Sequence, residues 1–391
     1  MSHSFHLKSF ASRSEHELVL ACVSAVLNHS DAEHTLTILN QKIDWDYVFR
    51  FARRHGVLPL VYVHLRRAAA GQVPANSMLR FRNYYQENAA RNVLLAEELT
   101  QVLGSLASAG IEAISYKGPS LALSAYGNLA WRRFVDLDIM VRKRDVGSAK
   151  EVLNANGYVC TKQWTRAQES LLLRTQHNLP FRRENGRLIV ELHWEVASGL
   201  FASALQAERL WQRLESMNLN GAEVKMLGRE DLLLSLCVHG SRHVWERLGW
   251  ICDVAALLRT GVDWTAVLAR AETKENIRML LLGVLLANNL LEIPLPLELE
   301  DKFKKEQDLL SLGSTVAERL FDGPEHTPVS LATSFSFNLR LRRDWSSRFR
   351  YLHLVLMPTD GDVAKISLPR ALRFAYYLMR PFRLFVSGRG T

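Results

Sequence analysis

Cysteine is scarce in this chain. There are four in 391 residues, Cys22, Cys160, Cys237 and Cys252, and no two form a Cys-x-x-Cys pair. That excludes a disulfide framework and reads as reduced thiols in a cytoplasmic protein. Long apolar runs are missing too. The longest apolar helix candidate, Met279 to Ala287, stops at Asn288 and Asn289. A bilayer needs about 20 such residues, so no membrane association is expected. The opening residues MSHSFHLKSFASRSEHELVL lack an apolar signal core. Internal repeats and low-complexity tracts are absent, which excludes a solenoid or a disordered array. Acidic residues are outnumbered, 40 against 49 Lys and Arg, giving a net charge of +9. An anionic partner follows, and nucleotide phosphates satisfy that as well as nucleic acid does.

What remains is a globular balance, 48% hydrophobic and 23% charged residues. Glu15–Leu27, Asp44–Arg67 and Met78–Ala109 carry apolar residues at helical spacing, with breaks near Gly56 and Pro59 and a stop at Gly110. This N-terminal helical region, residues 1–105, is expected to buttress a sheet. Residues 106–200 read as an α/β core. They include strands at Ile111–Tyr116, Phe134–Val141 and Tyr158–Lys162, a helix capped by Asp145, and a hairpin of Gln176–Arg183 and Arg187–Val196 about Glu184-Asn185-Gly186. Residues 201–391 read as a helical domain. Its helices are expected at Glu208–Leu214, Asp231–His239, His243–Arg259, Trp264–Leu291, Asp301–Leu320, Arg340–Met357 and Leu368–Leu384. The fold class is therefore α+β: a mixed sheet of about five strands between two helical regions.

The stretch Ile114–Val141 carries the chemistry. A strand alternates its side chains, so Val135, Leu137, Ile139 and Val141 share one face while Asp136 and Asp138 share the other. Two carboxylates so close repel, and a divalent cation such as Mg²⁺ relieves the conflict. On the strand Arg187–Val196, Glu191, His193 and Glu195 lie opposite an apolar face. If the two strands are neighbours, Glu191 completes a three-carboxylate cluster, with Glu195 as its fallback. Gly118 and Ser120 sit at a strand-to-helix turn, where backbone N–H groups attract phosphate. Carboxylates with Mg²⁺ beside such a turn are the equipment of phosphoryl or nucleotidyl transfer.

The order Lys117-Gly118-x-Ser120, Arg132, Asp136-Leu137-Asp138 and Glu191-Leu192-His193-Trp194 resembles the nucleotidyltransferase superfamily with a DNA polymerase β-like palm. Within it, the chain looks like a group of uncharacterised bacterial nucleotidyltransferase family proteins. His239–Leu258 and Leu368–Leu384 are similar to the helical segments of that group. The resemblance implies a palm-like sheet and two Mg²⁺ ions held by Asp136, Asp138 and Glu191, with Glu191 also a base. It implies an NTP substrate bound by Lys117, Gly118, Ser120 and Arg132, with release of pyrophosphate. Pro119 departs from the Gly-Ser or Gly-Gly of that superfamily and removes one N–H donor. The acceptor is expected to be a small molecule, peptide or saccharide. Terminal addition to RNA, and a non-catalytic nucleotide-binding protein that kept the fold, are the alternatives.

Several residues remain candidates for substrate contact. His239 and His243 lie at i and i+4, with Arg242 between them, as a helical lid over the carboxylates; Asp253 follows in the same region. His177 and His193 sit on the paired strands. Arg133 neighbours Arg132, and either could meet a triphosphate. From Arg340 to Arg383 ten Lys and Arg face three acids, with aromatics interleaved. Such a segment either packs as amphipathic helices or binds RNA.

Overall fold

The computed structural model describes residues 7–357, apart from 70, 162–172, 174–175, 184–187, 198–206, 324 and 326–327. The expected turn at Glu184-Asn185-Gly186 and the expected tail helix Leu368–Leu384 lie outside the described residues.

The fold is mixed α+β and begins with helices. α1 (Ser14–Asn28), α2 (Glu33–Leu39), α3 (Trp45–Arg54) and α4 (Leu58–Ala68) precede a long α5 (Ala75–Ser108). Asp44 starts α3 by accepting from the N–H groups of Asp46 and Tyr47, both at 3.0 Å. α5 has 34 residues, about 51 Å at 1.5 Å per residue. That length lets it join two cores. Phe81 near its start packs among the helices, and Leu95, Leu99, Val102 and Leu106 pack under the sheet.

Among the described residues the sheet has five strands in the order β1-β2-β5-β4-β3. β1 is Ala113–Ser115, β2 Leu137–Val141, β3 Tyr158–Cys160, β4 Asn178–Arg183 and β5 Ile189–His193. β2 and β5 run parallel and the other pairs antiparallel. α6 (Gly118–Tyr126) and α7 (Val146–Ala155) connect them. Leu137, Ile139, Val141, Val190 and Leu192 face the core shared with α5 and α7. Asp145 stands at the start of α7, but its side chain makes no cap hydrogen bond.

A short helix α8 (Ala207–Leu210) leads to a two-stranded hairpin, β6 (Leu214–Leu219) and β7 (Ala222–Leu227). This hairpin corrects the helix expected through Leu214. Asn220 and Gly221 at its tip have φ of 54° and 85°, the twist a two-residue hairpin turn requires. α9 (Arg229–Arg242), α10 (Leu248–Arg259), α11 (Trp264–Ala271) and α12 (Lys274–Leu291) follow, then α13 (Glu300–Lys305), α14 (Leu309–Leu320), α15 (Leu331–Leu341) and α16 (Trp345–Leu356). Three expected long helices are each divided. Thr273 and Asp344 accept from backbone N–H groups and start new helices inside two of them. α1, α3 and α4 share one core with α9, α10 and α12. The buttress under the sheet is therefore α5, while α1, α3 and α4 join the later helices.

Candidate functional site

β2 and β5 are neighbours, and their register sets Asp138 opposite Glu191 and Met140 opposite His193. Partners in a parallel pair point to the same face, so Asp138, Glu191 and His193 converge. Asp136 does not lie within the strand, because pairing with β5 begins at Leu137. It occupies the bend just before it, and Val135 turns outward at 43% exposure. The backbone carbonyl of Asp136 lies against Gly118, where a Cβ would be 3.5 Å away and φ is +54°. The Lys-Gly turn and the entry to β2 thus touch.

His193 belongs to the acid cluster itself. Its Nε2 is 3.1 Å from Asp138 Oδ1 and 3.3 Å from Glu191 Oε2. Tyr116 Oη lies 3.1 Å from its Nδ1. Burial lowers the affinity of His193 for a proton, but the hydrogen bonds and charges of both carboxylates outweigh it and raise its pKa. The His193 ring nitrogen therefore stands between the two carboxylates, where a shared cation would also stand. Burial pushes the Asp138 carboxyl up, yet Lys117, His193 and Arg132 bring it below the usual range. Glu191 is lowered mainly by its hydrogen bond from His193, against burial. Asp136 goes the other way. Burial, then the charges of Asp138 and Glu191, raise it to about 6. Asp138, Glu191 and His193 each offer a ligand atom, all within 4.8 Å of one another. Glu195 falls beyond the end of β5.

The opposite wall comes from α9 and its C-terminal cap. Lys117 Nζ reaches His239 Nδ1 at 3.3 Å, and Arg242 donates to His177 Nε2 at 2.8 Å. Burial, then neighbouring cations, hold His239 and His177 well below the ordinary histidine range, and the same causes bring His243 to about 3. All three are neutral. His243 caps α9 and does not start the next helix. The His239 and His243 rings still meet, at 4.9 Å between centroids, and both pack on Trp250.

Two expected anion contacts have other partners. Ser120 is fully buried and donates to Ser115 Oγ at 2.9 Å, because it sits on the inner side of the first turn of α6. Arg132 donates to both oxygens of Asp253, Nε at 2.8 Å and NH2 at 2.9 Å. Tyr126 adds a third bond to Asp253 at 2.7 Å. Sequence reading missed Asn88 and Asn92. Both are buried on α5 and donate to the carbonyls of Leu129, Ala130 and Arg132. They pin the loop that delivers Asp136. Two asparagines one turn apart on the inner stripe of a helix were the available signal, since a buried amide needs partners.

A mixed sheet with paired carboxylates beside a Lys-Gly turn defines a nucleotidyltransferase-type fold. Residues 41–292 match the family described as "Uncharacterised nucleotidyltransferase", and the chain belongs to that family. It is a nucleotidyltransferase. Among solved structures it is similar to an antigenic nucleotidyltransferase-like protein from Paracoccidioides brasiliensis. That match has 16% identity over 58% of this chain and 92% of the other, with a TM-score of 0.34. No curated protein matches the chain. Among the described residues no helix is long and apolar enough to cross a membrane.

Proposed function

We propose that the protein moves a nucleoside monophosphate from an NTP to a hydroxyl of a small molecule, peptide or saccharide, with Mg²⁺ held by Asp136, Asp138 and Glu191. The observation that supports this most is Asp138 opposite Glu191 on parallel strands, on the face reached by Lys117. The donors fit a hard divalent cation. Asp138 and Glu191 offer largely buried carboxylate oxygens that converge with a nitrogen of His193, and Asp136 sits in the negative field of both, which a divalent cation would relieve. Bound there, Mg²⁺ supplies charge neutralisation to the transferring phosphoryl group.

The chain's own residues set up the rest. Asn178 and His193 both bond Glu191 Oε2, which leaves Oε1 to take the proton of the acceptor hydroxyl. Lys117 and the first N–H groups of α6 meet the triphosphate. The acceptor oxygen forms a bond to the α-phosphorus as the bond to the bridging oxygen breaks, and pyrophosphate leaves with that electron pair. The test is pyrophosphate release from each NTP with Mg²⁺ and a panel of acceptors, in wild type and Asp138→Asn. Release that needs Mg²⁺ and disappears in Asp138→Asn is expected. Release with RNA alone moves the acceptor to an RNA terminus. NTP binding with no release across the panel overturns catalysis.

A further inference from the structure

A cleft of about 640 Å³ opens between α3, the first half of α5 and Arg133. Small-molecule sites span about 300–1,000 Å³. α5 places Arg80, Tyr84, Glu87 and Arg91 in one stripe, since positions three and four apart share a helix face. Arg53 and Phe49 face them from α3. Four arginines thus line the cleft against one acid, Glu87.

Their partners are uneven. Arg80 pairs with Asp46 and stacks over Phe49 at 3.7 Å. Among the described residues Arg53, Arg91 and Arg133 have no ion-pair partner, and Arg91 bonds only the neutral Asn88. Nε of Arg91, Nε of Arg133 and the Tyr84 hydroxyl are sealed from water without a hydrogen-bond partner among those residues. Burial first, and then the charge of Arg133, weaken the hold of Arg91 on its proton. Arg91 and Arg133 repel each other, Glu87 is the one acid of the cleft whose charge acts on Arg91, and an anion held between the guanidiniums offsets the rest of the repulsion.

We infer that this cleft binds a small anion with several oxygens on one or adjoining centres, a phosphate or polycarboxylate group. Arg53, Arg91 and Arg133 grip the oxygens, for which the planar guanidinium is shaped. The organic part of the ligand lies on Phe49 and Tyr84. Arg133 is three residues before Asp136, a span of at most about 11 Å of extended chain. The anion therefore sits near the carboxylates but uses none of them, and the inference stands apart from the reaction proposed above.

Isothermal titration at fixed ionic strength tests it, with inorganic phosphate, pyrophosphate and citrate as probes. At least one binds saturably, and its affinity falls about tenfold or more for each guanidinium lost, in Arg91→Gln and Arg53→Gln. Arg53 is exposed, so its variant keeps the fold. Lys304→Gln, at an exposed lysine of α13 that lines neither site, leaves the affinity unchanged. Binding of the phosphates alone identifies a phosphate ligand, and binding of citrate alone a polycarboxylate; both support the site. Absence of saturable binding by all three overturns it. So does binding that Lys117→Gln abolishes and the two arginine variants leave intact.

Discussion

Replacing Asp253 with alanine is the sharpest perturbation of this structure. The Arg132 and Asp253 side chains are only 12% and 4% exposed, and they meet through two parallel hydrogen bonds. Removing the carboxylate leaves a buried guanidinium without a counter-charge, and Arg132 NH1 already lacks a partner among the described residues. It also strands the Tyr126 hydroxyl. Breaking a buried ion pair costs about 3–5 kcal/mol. The lost Tyr126 bond adds about 1 kcal/mol. Urea unfolding of Asp253→Ala followed by circular dichroism therefore shows a loss near 4–6 kcal/mol, about three to four powers of ten in the folding equilibrium. The double variant Arg132→Met/Asp253→Leu removes both charges, and its loss falls to about 1–2 kcal/mol because apolar replacements of similar volume suit a buried site. A single variant costing under about 1 kcal/mol, or a double variant as damaged as the single, refutes a buried pair at this position. Pyrophosphate release by the stable double variant separates a structural Arg132 from one that also meets phosphate.

His55 makes stability depend on pH. Its Nδ1 accepts from Leu248 N–H at 3.1 Å and its Nε2 donates to the Leu320 carbonyl at 3.0 Å, so the ring is neutral and fully bonded. Burial lowers its pKa from 6.5 to about 3. Because the folded value lies below the unfolded one, full stability holds above pH 6.5 and is lost as pH falls towards 3, by at most about 1.4 kcal/mol per pH unit. Urea midpoints between pH 7 and 5 fall less steeply in His55→Gln; equal slopes refute the reading. Gly240→Ala would set a Cβ 2.5 Å from the buried Trp245 ring. It destabilises by about 1–3 kcal/mol, and an unchanged thermal midpoint counts against that packing. Asn92→Leu releases the carbonyls of Leu129 and Arg132. Nucleotidyl transfer falls about 10²-fold in kcat as the Asp136 loop drifts, since misplacement by about 1 Å has that effect. Lost stability with intact kcat would show that the loop holds its place without this side chain.

Much of the sheet was legible because strands write their faces into the sequence. Alternation around Leu137–Val141 and Ile189–His193 separated an apolar face from an acidic one, and adjacency of the two strands followed from shared chemistry. Asp136 was read one element too deep, since alternation continues through residues that have already left the ladder. The hairpin at Asn220-Gly221 carried a strong local turn signal, but β6 is largely exposed, so its apolar alternation is faint. The Arg132–Asp253 pair joins residues 121 apart. No periodicity encodes such a contact. His193 read as a candidate for substrate contact; only the register shows that it lies among the acids.

The two kinds of polar tie across the site differ in what can dissolve them. Arg132 and Asp253 link the loop before β2 to α10 with opposite charges, and an incoming phosphate cannot displace a carboxylate already held on three bonds at little cost. Lys117 and Arg242 are tied to neutral histidines, one bond running from the sheet side to α9 and the other from α9 back to the residue before β4. A hydrogen bond from a cation to a neutral group contributes about 1.5–3 kcal/mol, less than the same cation gains from anionic oxygens. On the proposed reading, a triphosphate takes Lys117 from His239 while Arg132 stays on Asp253, and Arg242 on the neutral His177 is as readily released. The cations nearest the carboxylates are thus stored on partners they leave readily, and the frame that aims Asp136 is fastened by one that they do not.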